Sequence, residues 1–415
     1  MKYKRIKIVY LIVYTFLFIY RPLILPFNIL HILSGIVYLD IFFNKKKYSL
    51  ILKKMKIKRL IVYMYILLIY LGIGATLNDE SIVKNLYFYI IFIMEIVPIS
   101  IYISINLMNS NCSVEDFYIF LLLVGTLQAS IAIYSFFDAE FKKKILEIMM
   151  KNGGSLEVIS KFSKYRMFGF GSQYMYTLPG IQSFFSVLSI YIYFKKKQLR
   201  YLILSPFLFF SAIINARTSF IILFLGILIL IFMEEKKIIY FGSFILVGFI
   251  SKISFYFLNK KEEATFLWIR SGWEQILEGL SGNFSRGYFK AASNSKFYKL
   301  PDSIYFLFGK SKHVMGQFSD VGYINDIWFG GILFSMYIYI FLLYNLKNLY
   351  FKKNINDLNG KFISTFIFFS FLIFNFKGIV LSINDFIITT VLIVNFYNLK
   401  YNYSTNFKHY VLKKM

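Results

Sequence analysis

The sequence predicts an all-α polytopic membrane protein, and three observations predict it. Of 415 residues, 58% are hydrophobic and 21% aromatic, with a mean hydropathy of +0.61, whereas soluble domains hold roughly 45–50% apolar residues. Apolar runs recur along the whole chain, as at 60–77 and 117–137, and about 20 such residues carry a helix across a bilayer core. Short charged stretches separate those runs. The chain therefore reads as a single integral membrane domain over residues 1–415, with about twelve transmembrane helices.

Taken in order, helices are expected at about 6–20, 23–43, 60–77, 86–105, 117–137, 175–194, 200–215, 218–233, 238–258, 323–345, 362–376 and 382–398. No small-residue cleavage site follows the first apolar run, so it reads as a retained helix rather than a signal peptide. Orientation follows from basic residues in short loops. With the N-terminus inside, the inside segments hold 26 Lys and Arg, while the short outside turns hold Arg21, Lys84, Arg217 and Lys377. Both termini are thus expected on the cytoplasmic side. Two long connections, about 138–174 and 259–322, fall outside, and loops of that length are commonly functional or disordered. In the second, Phe266, Ile269, Trp273, Leu277 and Leu280 recur at three- and four-residue steps. This is the pattern of an amphipathic helix lying on a membrane or roofing a cavity.

The net charge of +26 does not imply nucleic acid as a partner, because the cations form no patch and alternate with hydrophobic runs. Cys112 is the single cysteine, which excludes an internal disulfide. His31, His313 and His409 are too scattered to suggest a metal cluster. No nucleotide-sugar D-x-D pair, P-loop or zinc-protease motif occurs, so neither metal nor cofactor is expected.

The informative residues are polar groups on the outer side. Arg217 lies in a tight Asn-Ala-Arg-Thr-Ser turn; its planar fork suits phosphate, and a snorkelling helix-terminal Arg is the alternative. Arg270 borders the apolar stripe near Trp273 and is expected along the buried face, or else on lipid phosphates. Arg166 precedes Gly169 and Gly171, glycines that permit close backbone approach to a ligand or a tight turn. Asp320 stands before the tenth helix as a general base toward a hydroxyl, or Ser319 or Asp320 caps that helix. Within the membrane, Asp40 and Glu95 are the notable acids, with Lys252 a partner for Glu95.

Arg166-Met-Phe-Gly169, Asn215-Ala-Arg217-Thr-Ser, Arg270 with Trp273 then Leu307-Phe-Gly309, and Ser319-Asp320 nine residues before Gly330-Gly331 together resemble the bacterial O-antigen polymerase and O-antigen ligase superfamily. The resemblance spans about 160–335, in order. Where the ligases carry His in the fourth motif this chain has Ser319, and His313 lies six residues earlier, which favours a polymerase-like member. The resemblance implies a GT-C-like glycosyltransferase of the bacterial inner membrane. Its expected substrate is an undecaprenyl-pyrophosphate-linked oligosaccharide, with a chain-length regulator and a flippase as partners. Arg217, Arg270 and Arg166 would neutralise the pyrophosphate, Asp320 would act as base, and Gly169, His313 and Trp273 would line the substrate site. A ligase, or a polysaccharide flippase or transporter, is the competing reading.

Overall fold

The computed structural model describes residues 2–54, 57–152, 163, 166–171, 177–216, 218–233, 242, 267, 269–271, 274, 278, 281, 295–312, 319–350 and 358–402. All regular structure among them is helical. The order is α1 (Lys2–Tyr20), α2 (Ile29–Phe43), α3 (Lys45–Lys54), α4 (Ile57–Leu77), α5 (Ile82–Ile91), a π-helix (Phe92–Ile96), α6 (Val97–Asn109), α7 (Val114–Phe137) and α8 (Ala139–Lys151). There follow α9 (Thr177–Lys196), α10 (Leu199–Ile213), α11 (Thr218–Met233), a 3-10 turn (Ser295–Tyr298), α12 (Ser303–Phe308), α13 (Gly322–Tyr350), α14 (Leu358–Lys377) and α15 (Asp385–Asn402).

Among the described residues, five stretches are long and apolar enough to cross a membrane: Leu86–Asn109, Val114–Phe137, Thr177–Lys196, Gly322–Lys347 and Gly360–Lys377. Shorter apolar helices accompany them at Lys7–Tyr20, Ile29–Phe43, Ile61–Leu77, Leu199–Ile213 and Thr218–Met233. The protein is membrane-embedded. The helix expected at 238–258 lies, but for Gly242, outside the described residues.

α9 is the central pillar, buried from Thr177 to Ile192. Its small residues and those of its neighbours let the backbones approach, which is how helices associate where lipid removes the hydrophobic drive. Ser186 Oγ bonds Ser205 of α10 at 2.9 Å, and Gly125 of α7 and Gly226 of α11 make room for Phe185 and Val187. On the remaining side Phe184 stacks on Phe366 and Tyr191 on Phe362, both of α14, at 5.0 and 4.9 Å. Such offset pairs add about 0.5–1.5 kcal/mol each beyond area burial.

Two local departures from the sequence pattern matter for function. The connection read as a loop over 138–174 begins with the helix α8. Ile145 and Met149, one turn apart, are buried while Lys143 and Lys144 are exposed, so the segment is amphipathic and too basic to register as a span. Asp138 caps it by accepting from Phe141 N at 3.0 Å, and that bond holds the Asp138 carboxyl below the usual carboxylate range. The second departure is the π-helix. Pro98 has no N–H, so the Met94 carbonyl four residues earlier is left for another donor, and Tyr38 Oη supplies one at 2.5 Å. Val97 N reaches back five residues to Phe92 O, and π-bulges of this kind frequently mark functional sites.

Candidate functional site

The described parts of the motifs meet in two pairs: the Arg166–Gly169 segment with the turn containing Asn215, and Leu307–Gly309 with Gly330 and Gly331. Met167 N donates to Ile214 O at 3.1 Å, which joins the Arg166–Gly169 segment to the turn containing Asn215. Gln128 of α7 donates to Phe168 O at 2.7 Å. Gly169 adopts φ +55, and a Cβ there would lie 2.7 Å from Gln128 Nε2 and 3.3 Å from the Ala132 backbone. Only glycine fits that left-handed turn. Arg166 and Lys142 line one recess here, together with Ser135, Ile145, Leu146 and the backbone of 167–169. Two cations at the mouth of a tight backbone turn are suited to a phosphate-type anion.

Arg217 lies outside the described residues, but its neighbours do not. Asn215, Ala216, Thr218 and Ser219 are all buried. Asn215 Oδ1 and Thr218 Oγ1 make no hydrogen bond among the described residues. The turn is therefore a buried polar junction and not a surface loop.

The second pair of motifs meets backbone to backbone. α13 breaks at Gly331 (φ 76, ψ 178), and Gly309 has φ 77. A Cβ on Gly331 would lie 2.1 Å from Leu307 O, and one on Gly309 2.5 Å from Phe329 O. The amides of Lys310 and Ser311 donate to Trp328 O and Phe329 O at 2.7 and 2.9 Å, and Tyr70 Oη donates to Gly330 O at 2.7 Å. A broken helix survives in a membrane where protein satisfies the freed carbonyls, and here it does.

Ser319 and Asp320, treated together as candidate caps, part company. Ser319 is buried; its hydroxyl donates to Phe297 O at 2.6 Å and accepts from Val321 N at 3.1 Å. Ser319 is the cap. Asp320 is exposed and stands clear of that role. Arg270 corrects a second expectation: it is 63% exposed and pairs with Glu274 at 2.9 Å, instead of pointing along the buried face. Ile269 next to it is buried, and the 100° step between neighbours carries Arg270 outward. Leu267, Ile269 to Ser271, Glu274 and Glu278 are all helical, as the periodicity predicts. Trp273 and His313 lie outside the described residues.

Sequence reasoning missed the charges that the fold brings together. Arg21, counted above as a loop cation, is 7% exposed, with Nη2 3.1 Å from Asp385 and Nη1 donating to Ile383 O at 2.7 Å. Beside it Gln182 donates to Tyr20 Oη at 2.9 Å. Asp326 is buried and accepts from Asn375 at 2.8 Å; Asn375 also donates to Tyr339 Oη at 2.7 Å. Glu95 pairs with His31, Nδ1 to Oε1 2.5 Å; Lys252, the expected partner, lies outside the described residues. Asp40 accepts from Asn44 at 2.8 Å and from the Tyr48 hydroxyl, at the far end of α2.

No family profile, curated protein or solved structure matches this chain.

Proposed function

We propose that this protein is a polymerase of the O-antigen type, joining undecaprenyl-pyrophosphate-linked repeat units at the outer face of the bacterial inner membrane. The reading includes about twelve transmembrane helices in a GT-C-like arrangement, cytoplasmic termini, and a chain-length regulator and flippase as partners. The observation that carries it is the recess lined by both Arg166 and Lys142 beside the Gly169 turn. In this reading the donor pyrophosphate lies over the mouth of this recess, and Arg217, next in sequence to the buried Ala216, adds a third cation. Charge develops on the pyrophosphate as its bond to the sugar breaks, and fixed cations lower that barrier. Asp320, exposed beside the buried Ser319 turn, takes the proton of the acceptor hydroxyl. Arg270 lies farther along the second long connection and binds the glycan or carrier phosphate.

The test is the length of lipid-linked glycan in cells whose own protein is replaced by variants. Arg166→Ala with Lys142→Ala is expected to lower polymerisation on the order of 10²-fold or more, the scale of removing one transition-state donor, with normal amounts of protein in the membrane. Wild-type polymer would sink the pyrophosphate assignment. In cells lacking the protein, single repeat units on the carrier support a polymerase. Full-length polymer stranded on the carrier indicates a ligase. Units trapped at the inner leaflet indicate a flippase, the reading that the broken helix α13 would serve.

A further inference from the structure

The His31–Glu95 pair opens sideways. His31 is 50% exposed, and Ile32, Tyr38 and Leu39 of its own helix and Ile90 and Met94 near Glu95 are exposed as well. Polar residues in membrane helices ordinarily face the bundle interior or a cavity. Here the π-helix turns Glu95 toward α2, and the carboxylate takes the imidazole by Nδ1. A carboxylate on Nδ1 holds the proton at that nitrogen and turns the Nε2 lone pair outward. The second oxygen, Glu95 Oε2, is buried and makes no hydrogen bond among the described residues. With the proton at Nδ1, the dyad's accessible acceptor is Nε2, and its natural complement is a hydrogen-bond donor.

The surface beside it is open. Gly35 lies one turn from His31 on the same face of α2, and nothing stands within 4 Å of where its Cβ would be. An acyl chain fits alongside such a backbone. We propose that the His31–Glu95 dyad is a membrane-facing acceptor site for the hydrogen-bond-donating head group, hydroxyl or ammonium, of an amphiphile whose chain lies along Gly35. The site shares no residue with the Arg166–Lys142 recess, and it stands whether or not the chain is a polymerase.

The experiment uses full-length protein with His313→Gln and His409→Gln, which leaves His31 as the single histidine. It is reconstituted in nanodiscs and labelled with diethyl pyrocarbonate, which reacts at the open imidazole nitrogen. In pure phosphatidylcholine, whose head group has no donor, His31 is expected to label readily. Adding phosphatidylethanolamine (ammonium) or phosphatidylglycerol (hydroxyl) is expected to slow labelling about threefold to tenfold, the equilibrium worth of one hydrogen bond. Whichever lipid protects names the source. Gly35→Leu, which covers that open backbone, and Glu95→Ala, which releases the ring, are each expected to abolish protection. Equal labelling rates in all three lipids would reduce the pair to a structural contact, and so would an unreactive His31 in phosphatidylcholine. Protection that persists in Gly35→Leu would overturn the placement of the chain.

Discussion

Arg21 and Arg270 each hold a carboxylate, at 3.1 and 2.9 Å, yet they do different work. Arg270 meets Glu274 one turn away on a helix surface, both more than half exposed. Arg21 meets a carboxylate 364 residues away, with both side chains enclosed, and its second nitrogen is taken by the Ile383 carbonyl. The first pair forms wherever its helix forms. The second exists only when the end of α1 has docked against the start of α15. Distance alone does not distinguish them; burial and sequence separation do. The arginine that attracts notice in the sequence is the one with the weaker structural role.

The difference can be measured as a graded series. Asp385→Ala leaves a guanidinium enclosed without its partner, and is expected to destabilise the protein by about 3–5 kcal/mol, read by thermal unfolding in nanodiscs. Arg21→Met combined with Asp385→Leu removes both charges and is expected to recover most of that loss. If the double variant is no better than Asp385→Ala, the ion pair is not what joins the two helices. Asn375→Ala removes the neutral donor to the buried Asp326 and belongs in the middle, at about 1–3 kcal/mol. Glu274→Gln should shift stability by less than about 0.5 kcal/mol, because solvent screens a half-exposed pair. A Glu274→Gln effect as large as that of Asp385→Ala would erase the distinction drawn here.

Most of the helices were legible because hydropathy is a local property. A run such as 117–137 declares itself without reference to the rest of the chain, and Val114–Phe137 is the result. α8 escaped because its two buried positions, Ile145 and Met149, are diluted by three consecutive lysines, and only contact with the bundle reveals the apolar side. The motif glycines were legible as positions but not as partners. Gly309 and Gly331 read as separate signals, whereas each is glycine because the other's segment occupies the space of its side chain. The same limit hid Arg21–Asp385, His31–Glu95 and Lys142 beside Arg166. Each depends on which helices are neighbours, and no run of residues contains that information. In the other direction, the apolar stripe near Arg270 was read correctly for Ile269 and misplaced for the arginine by one helical step.

The Arg21–Asp385 pair also fixes an order of assembly. During synthesis the guanidinium at the end of α1 is made early, and its carboxylate arrives 364 residues later. Every helix between them must be inserted while Arg21 still lacks the partner that makes its burial tolerable. The cation must therefore stay hydrated at the membrane edge until α15 arrives, so α1 cannot reach its final depth on its own. The two closures differ in timing. The amides that complete the break in α13, Lys310 and Ser311, precede it by fewer than twenty-five residues and are at hand when it forms. Arg21 has to wait, and its burial marks the moment when the bundle is whole.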